Sequence, residues 1–211
     1  MKKIVSLLLL LACVVALASC APAADTGPKD IFALLKSSVS PTRIVTDITY
    51  SEKDGGSTYG GHYVTEGSGQ DAVMTYEYTR PARLDEAAES ETVTVKGTLK
   101  YKDGKVGEGD TYVTEALVLS GDTFTITLDL LSDVSLSEDG RTLTATITAE
   151  NIKKVLGTDL KADGNVTLTV KSNGTHITNI NIAYTAPSGA SVTVRTSRSY
   201  NAIDLDFGEN A

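Results

Sequence analysis

Residues 166–196 read VTLTVKSNGTHITNINIAYTAPSGASVTVRT. Apolar and polar side chains alternate through Val166, Leu168 and Val170, through Ile180, Ile182 and Tyr184, and through Val192 and Val194. This period of two belongs to half-buried antiparallel strands, and the glycine-bearing segments between the runs are turns. Opposed residues in a hairpin share a face, so a one-residue slip would move a whole apolar set into water. A two-residue turn at Asn173-Gly174 sets Leu168 against Asn179 and fails that test. A three-residue loop over 172–174, with Gly174 left-handed, sets Val166 opposite Ile180 and aligns the apolar sets. Pro187-Ser188-Gly189 repeats the device, pairing Tyr184 with Val192 and Ile182 with Val194. The end of the chain is therefore a meander with one consistent apolar face.

Moving toward the N-terminus, residues 144–157 read TATITAENIKKVLG. The strand pattern stops at Ile147, and Thr148 is placed to cap a helix from Ala149 to Leu156. Ile152, Val155 and Leu156 form its apolar side, and Gly157 ends it. A two-residue turn at Asp139-Gly140 sets Leu136 against Leu143 and Val134 against Ala145, with Phe124, Ile126, Leu128 and Leu130 continuing that face. At Asp103-Gly104 the same geometry pairs Tyr101 with Val106 and Val95 with Tyr112. Residues 80–90 read either as a solvated loop or as a single helical turn. From Thr42 onward threonine, valine, isoleucine and tyrosine dominate at period two. Before it lies a short amphipathic helix with Pro28 at its start, Ile31, Leu34 and Leu35 on one face, and Ser40-Pro41 at its end.

The first 19 residues have the order of a secretory signal: Met1-Lys2-Lys3, an apolar run from Ile4 to Ala16, then small residues. That run is too short for a hydrocarbon core of roughly 30 Å, which takes about 20 helical residues. Leu17-Ala18-Ser19-Cys20 resembles the lipobox of bacterial lipoproteins. The resemblance implies cleavage between Ser19 and Cys20 and a diacylglycerol on the Cys20 thiol. Two or three acyl chains at roughly 0.8 kcal/mol per buried CH₂ make a stable anchor. An ordinary signal with a chance cysteine is the alternative. Cys13 and Cys20 are the two cysteines of the chain, so after cleavage a disulfide or a cysteine metal site is excluded. Loss of Lys2 and Lys3 takes the formal charge from −8 to −10, which argues against nucleic acid as a partner. The remaining length suits one domain from residue 28 to 211, and residues 20–27 are a tether short enough to hold it near the bilayer.

The layout of signal, lipobox, one helix, a long meander, a mid-chain helix and closing strands resembles the LolA-like half-barrel lipoproteins, including the LppX/LprG type. The local matches are residues 144–157, Asn173-Gly174, Ile177 to Tyr184, Ser191 to Thr196 and Tyr200 to Phe207. The resemblance implies a mainly β (α+β) fold, a curved antiparallel half-barrel with both helices on its concave face. It also implies an apolar cavity for a lipid-like ligand and an acylated Cys20 in the membrane. The wall would come from Val93, Val95, Phe124, Ile126, Leu128, Leu143 and Ile147 on one side. Val166, Leu168, Ile180, Ile182, Tyr184, Val192 and Val194 would form the other, with Leu34, Leu35, Ile152 and Leu156 as cover. A solid core built from the same side chains is the competing reading, because alternating apolar residues form core before they form cavity.

Catalytic chemistry finds no constellation in this sequence. His62 and His176 lack ligand spacing, and His176 falls opposite Val170 at a hairpin rim. Gly60-Gly61 beside His62 reads as a bulge or turn in preference to a binding loop. Neither Gly56-Ser57 nor Gly67-Ser68 forms a hydrolase elbow, and the Asp-Gly pairs lack calcium spacing. The expectation is a non-enzymatic binding protein with no metal or cofactor, or else an interaction module of the cell envelope.

Overall fold

A computed structural model of the chain describes residues 30–37, 39–53, 57–68, 71–82, 92–102, 105–106, 119, 124–158 and 160–201. The signal, Ser19, Cys20, the tether, Pro28, most of residues 80–90, Tyr112 and residues 202–207 lie outside them. Among the described residues the alternating segments form ten strands: β1 (Arg43–Ser51), β2 (Thr58–Ser68), β3 (Asp71–Pro81), β4 (Thr92–Lys102), β5 (Lys105–Val106), β6 (Ser132–Leu136), β7 (Thr142–Ile147), β8 (Val166–Ser172), β9 (Ile177–Thr185) and β10 (Ser191–Ser199). They lie in one antiparallel sheet, in the order β5-β4-β3-β2-β1-β10-β9-β8-β7-β6. Two five-strand meanders thus run outward from the centre, where β1 and β10 pair from Arg43↔Ser199 to Ser51↔Ser191. The sheet is open, and the chain is mainly β as its periodicity requires.

The expected registers hold at β9–β10 and at β4–β5, hold only in part at β6–β7, and fail at β8–β9. Tyr184 pairs with Val192 and Ile182 with Val194, Tyr101 with Val106, and Leu136 with Leu143. The β6–β7 turn is wider than two residues, since the Ser137 N–H closes it on the Thr142 carbonyl at 2.9 Å. A bulge between Ser132 and Ser135 interrupts the ladder where Val134 was expected to face Ala145, and Val134 is exposed. Between β8 and β9 the expected pairing of Val166 with Ile180 is wrong: Val170 faces Ile180 and Leu168 faces Ile182. The cause is the Asn173 side chain, whose Oδ1 accepts the N–H groups of Thr175 and His176 and makes a longer loop than 172–174. Gly174 is left-handed there (φ 91°). The displacement is an even number of residues, so the apolar faces still coincide.

Helix α1 (Ile31–Leu35) starts at Asp30, whose carboxylate accepts the Phe32 N–H at 3.1 Å. It buries Ile31 and Leu34 and packs on β8 and β9. The mid-chain helix is a 3₁₀ turn, Ala149–Asn151, leading into α2 (Ile152–Leu156). Gly157, left-handed at φ 72°, ends it with its N–H on the Lys153 carbonyl, as expected of a C-terminal glycine. Thr148 makes no capping bond. The Ala149 N–H instead reaches Asn165 Oδ1 at 3.3 Å, so the cap comes from the residue just before β8. Phe124, Ile126, Leu128 and Leu130 do not continue a strand face. Residues 124–127 lie outside the sheet, and Leu128–Leu130 is a 3₁₀ turn with Leu128 57% exposed.

One face of the sheet carries the core. Leu143, Ile147, Val166, Leu168, Val170, Ile182 and Val194 are almost completely buried together with Val155 and Leu156 of α2. Each such side chain contributes roughly 1.5–3 kcal/mol relative to exposure.

Candidate functional site

The inner face opens at one end of the sheet. A cavity of about 150 Å³ lies between α1, the chain that follows it, residues 124 and 126, and the ends of β9 and β10. Its apolar wall is Leu34, Leu35, Phe124, Ile126, Ile177 and Ile180, and Val39 and Pro41 close the side toward β1. Consecutive Leu34 and Leu35 straddle the last turn of α1, which places one against β8 and β9 and leaves the other half-buried. Ile126 is held beside them because the neighbouring Thr125 N–H bonds to the Val155 carbonyl of α2 at 2.8 Å. The mid-chain helix thereby positions a cavity wall that belongs to no strand.

Ser37, Ser40, Arg198 and Tyr200 supply the polar part of the lining. Positions 192, 194, 196 and 198 of β10 alternate onto the inner face, and Arg198 lies opposite Ile44 of β1. The Tyr200 hydroxyl donates to the Ile177 carbonyl at 2.7 Å, and its ring stacks on His176 with centroids 4.3 Å apart. His176 is therefore a loop residue leaning on the wall, not the partner of Val170. Between these groups and the core, the Thr196 hydroxyl accepts the Ile180 N–H and donates to the Ile180 carbonyl. A buried hydroxyl is thus fully engaged by the ladder.

Of the residues expected to line a cavity, Phe124, Ile126 and Ile180 do so, with Leu34 and Leu35 from the helical cover. Leu143, Ile147, Ile152, Leu156, Val166, Leu168, Ile182, Tyr184, Val192 and Val194 lie together in the packed core beside it. Val93 and Val95 are half-buried on β4, at the far side of the sheet. Leu128 projects into solvent. Arg198, Tyr200, Ile177 and Pro41 were not foreseen. Extending the β10 alternation two residues beyond Thr196 would have turned Arg198 inward.

A shallower depression of about 450 Å³ lies on β1–β3 at Gly60 and Gly61. These glycines occupy the interior of β2 rather than a turn, paired with Thr49 and Ile48. The Thr79 hydroxyl accepts the Gly60 N–H at 3.1 Å. On the outer face Lys96, Glu77, His62, Asp47 and Arg195 line up across five strands. His62 Nδ1 is 2.7 Å from Asp47 Oδ1 and Lys96 is 3.0 Å from Glu77. The row is exposed, and such cross-strand pairs stabilise a sheet by a few tenths of a kcal/mol to about 1 kcal/mol each.

No family model matches the chain, and no curated protein does. Among the described residues no group of three or more His, Cys, Asp or Glu side chains is placed to hold a metal ion. No helix among them is long and apolar enough to cross a membrane.

Proposed function

We propose that the chain is an extracytoplasmic lipoprotein, anchored through an acylated Cys20, that receives an apolar part of a ligand in the cavity beneath α1 and does so without catalysis. The carrying observation is the cavity itself, where Leu34, Leu35, Phe124, Ile126, Ile177 and Ile180 meet a lining whose exposed surface is mostly polar. Its volume of about 150 Å³ is roughly the space that a benzene ring fills. The ligand enters by a ring or chain end, and the remainder stays outside. An open sheet with α1 on β8 and β9 and α2 in the same core is consistent with a LolA-like half-barrel, which rests on the layout of the sequence.

The test is mass spectrometry of organic extracts from the protein purified as its Cys20→Ala variant, followed by thermal shift with a panel of lipids. A co-purifying apolar compound that raises the melting temperature supports the reading. If none co-purifies and none shifts the transition, the reading fails. The same variant tests the anchor, since it should leave the membrane fraction as folded protein. A second reading, a solid-core envelope module that binds partners through its surface, is favoured by the complete burial of Leu143, Ile147, Val166 and Leu168. It predicts no apolar compound in the extract.

A further inference from the structure

Of the seven asparagines in the chain, Asn173 alone is followed by glycine. With no Cβ beside it, the Gly174 nitrogen can approach the asparagine side chain closely. In the β8–β9 loop the Asn173 Oδ1 accepts three hydrogen bonds, from the Thr175 N–H at 3.0 Å, the His176 N–H at 2.9 Å and the Thr175 hydroxyl at 2.8 Å. Donors at about 2.7–3.1 Å from an oxygen that gains charge are what stabilises the tetrahedral intermediate of acyl transfer. The Thr175 hydroxyl is backed by His176 Nδ1 at 3.2 Å, and the His176 ring is fixed by its stack on Tyr200. On the other side of the amide, the Gly174 N–H makes a long contact of 3.4 Å to Ser172 Oγ, which commits its nitrogen weakly. Asn173 and Thr175 are exposed, so water reaches them. The two backbone donors alone account for the loop, and the Thr175 hydroxyl adds polarisation that the β8–β9 pairing does not require.

We infer that Asn173 is a self-modification site, converted to aspartate by attack of the Gly174 nitrogen on its side-chain carbonyl carbon, with Thr175 and His176 stabilising the oxygen that gains charge. The bond from Cγ to the Gly174 nitrogen forms, and the Gly174 proton passes to solvent base. The Cγ–Nδ2 bond breaks, and Nδ2 takes a proton from water and leaves as ammonia. The step is intramolecular, so no second reactant has to be ordered. Water then opens the cyclic imide at its new bond, which restores the Gly174 N–H and leaves a carboxylate on residue 173. That carboxylate refills the same three donors with charge-assisted bonds. Opening at the other carbonyl would lengthen the main chain and part the Asn173 N–H from the His176 carbonyl, now 3.1 Å away. The fold therefore favours aspartate over isoaspartate.

The experiment follows the purified full chain in mildly alkaline buffer by peptide mapping with mass spectrometry, which tells amide from carboxylate at each asparagine, and by the ammonia released. The folded chain loses the Asn173 amide faster than the same chain unfolded in urea. Asn165, Asn179 and Asn181, each followed by a β-branched residue, keep theirs. Thr175→Val slows the folded reaction about tenfold or more, the effect of one hydrogen bond to a charged group, and Thr175→Ser restores it. Thermal melting shows whether each variant is folded, and the comparison of folded with unfolded wild type decides without them. A folded chain that keeps its Asn173 amide longer than the unfolded chain overturns the inference, because the loop then shields the amide. A folded Thr175→Val variant that reacts at the original rate overturns the role of the hydroxyl. Isoaspartate as the main product in the folded chain overturns the fate assigned to the imide.

Discussion

On β7 to β10 the inward positions include Leu143, Ile147, Val166, Leu168, Val170, Ile180, Ile182, Val192 and Val194, each no more than 3% exposed. On β2 to β4 the inward positions include Tyr59, Gly61, Tyr63, Met74, Tyr76, Tyr78, Val93, Val95, Gly97 and Leu99, with buried Arg80 opposite Val93. Tyr76, Val93, Val95 and Leu99 there are half-buried. The aliphatic half fills space with branched side chains that stand up from the sheet. The tyrosine half fills it with rings laid over glycines. A Cβ on Gly97 would come within 2.5 Å of Tyr76 Cζ, and one on Gly61 within 2.7 Å of Tyr63 Cζ. Tyr76 and Tyr63 each stack on Tyr78, with centroids 6.0 and 6.4 Å apart. One sheet therefore carries a jigsaw core at one side and an aromatic floor at the other, and the cavity lies at the packed side, where α1 and residues 124–126 close over it.

Large-to-small changes should separate the halves. Leu168→Ala empties a site with no measurable exposure and should cost about 2–5 kcal/mol, read as a lowered denaturant midpoint at unchanged slope. Val95→Ala, on the half-buried side, removes less surface from water and should cost clearly less. Equal losses would mean that the two halves are packed alike.

Glycine replacements probe the other half. A Cβ on Gly60 would collide with the backbone carbonyl of Ile48, which cannot move without parting β1 from β2. Gly60→Ala should therefore cost about 1–3 kcal/mol. At Gly97 the first obstacle is the ring end of Tyr76, which can swing away, so Gly97→Ala should be milder. Thermal unfolding of the two variants checks the order, and a reversed order would show that the ring is held more rigidly than the strand.

A third change acts on the cover of the aliphatic half. Asn165→Ala removes the side chain that accepts the Ala149 N–H and should cost about 1 kcal/mol, the usual effect of losing a cap. Thr148→Val should be neutral or stabilising, because the Thr148 hydroxyl is buried without a hydrogen-bond partner and its desolvation is uncompensated. Amide exchange of Ile152 and Val155 reports both.

That pair of residues also shows what was legible beforehand. Alternation fixed the strands and their buried faces, and the turn residues gave correct registers wherever the backbone of the turn alone decided the pairing, as at Pro187-Ser188-Gly189. They gave a wrong register at Asn173-Gly174, where a side chain bonds two amides beyond the turn and lengthens the loop. The same kind of bond hid the true helix cap, since Asn165 is distant in sequence from Ala149. The cavity was partly legible: Leu34, Leu35, Phe124, Ile126 and Ile180 were among the expected lining. Which of many inward side chains border empty space depends on how α1 and residues 124–126 settle on the sheet, and no periodicity encodes that.

The smallest expected effect lies at the edge of the aliphatic half. Asp139 in the β6–β7 turn accepts the Ser137 hydroxyl at 2.6 Å and the Arg141 N–H at 3.0 Å. These bonds, the Ser137 hydroxyl foremost, hold its carboxyl below the ordinary carboxylate range. A depressed folded-state pKa gives stability that is complete above the unfolded value of about 4 and is lost as the pH falls through the lower folded value. Protonation should therefore loosen the turn locally, exposing the Ser137 N–H that bonds to Thr142 while the β8–β10 ladder stays intact. Asp129, lowered first by its bond from Thr127, titrates in the same window beside β6. Asp139→Asn separates the two contributions. It keeps an acceptor in the turn but removes the charge, so the acid-induced change at Ser137 should vanish from its amide spectrum. If that change persists, it comes from Asp129 or from the sheet, and the edge of the aliphatic half is less independent of its core than the hydrogen bonds imply.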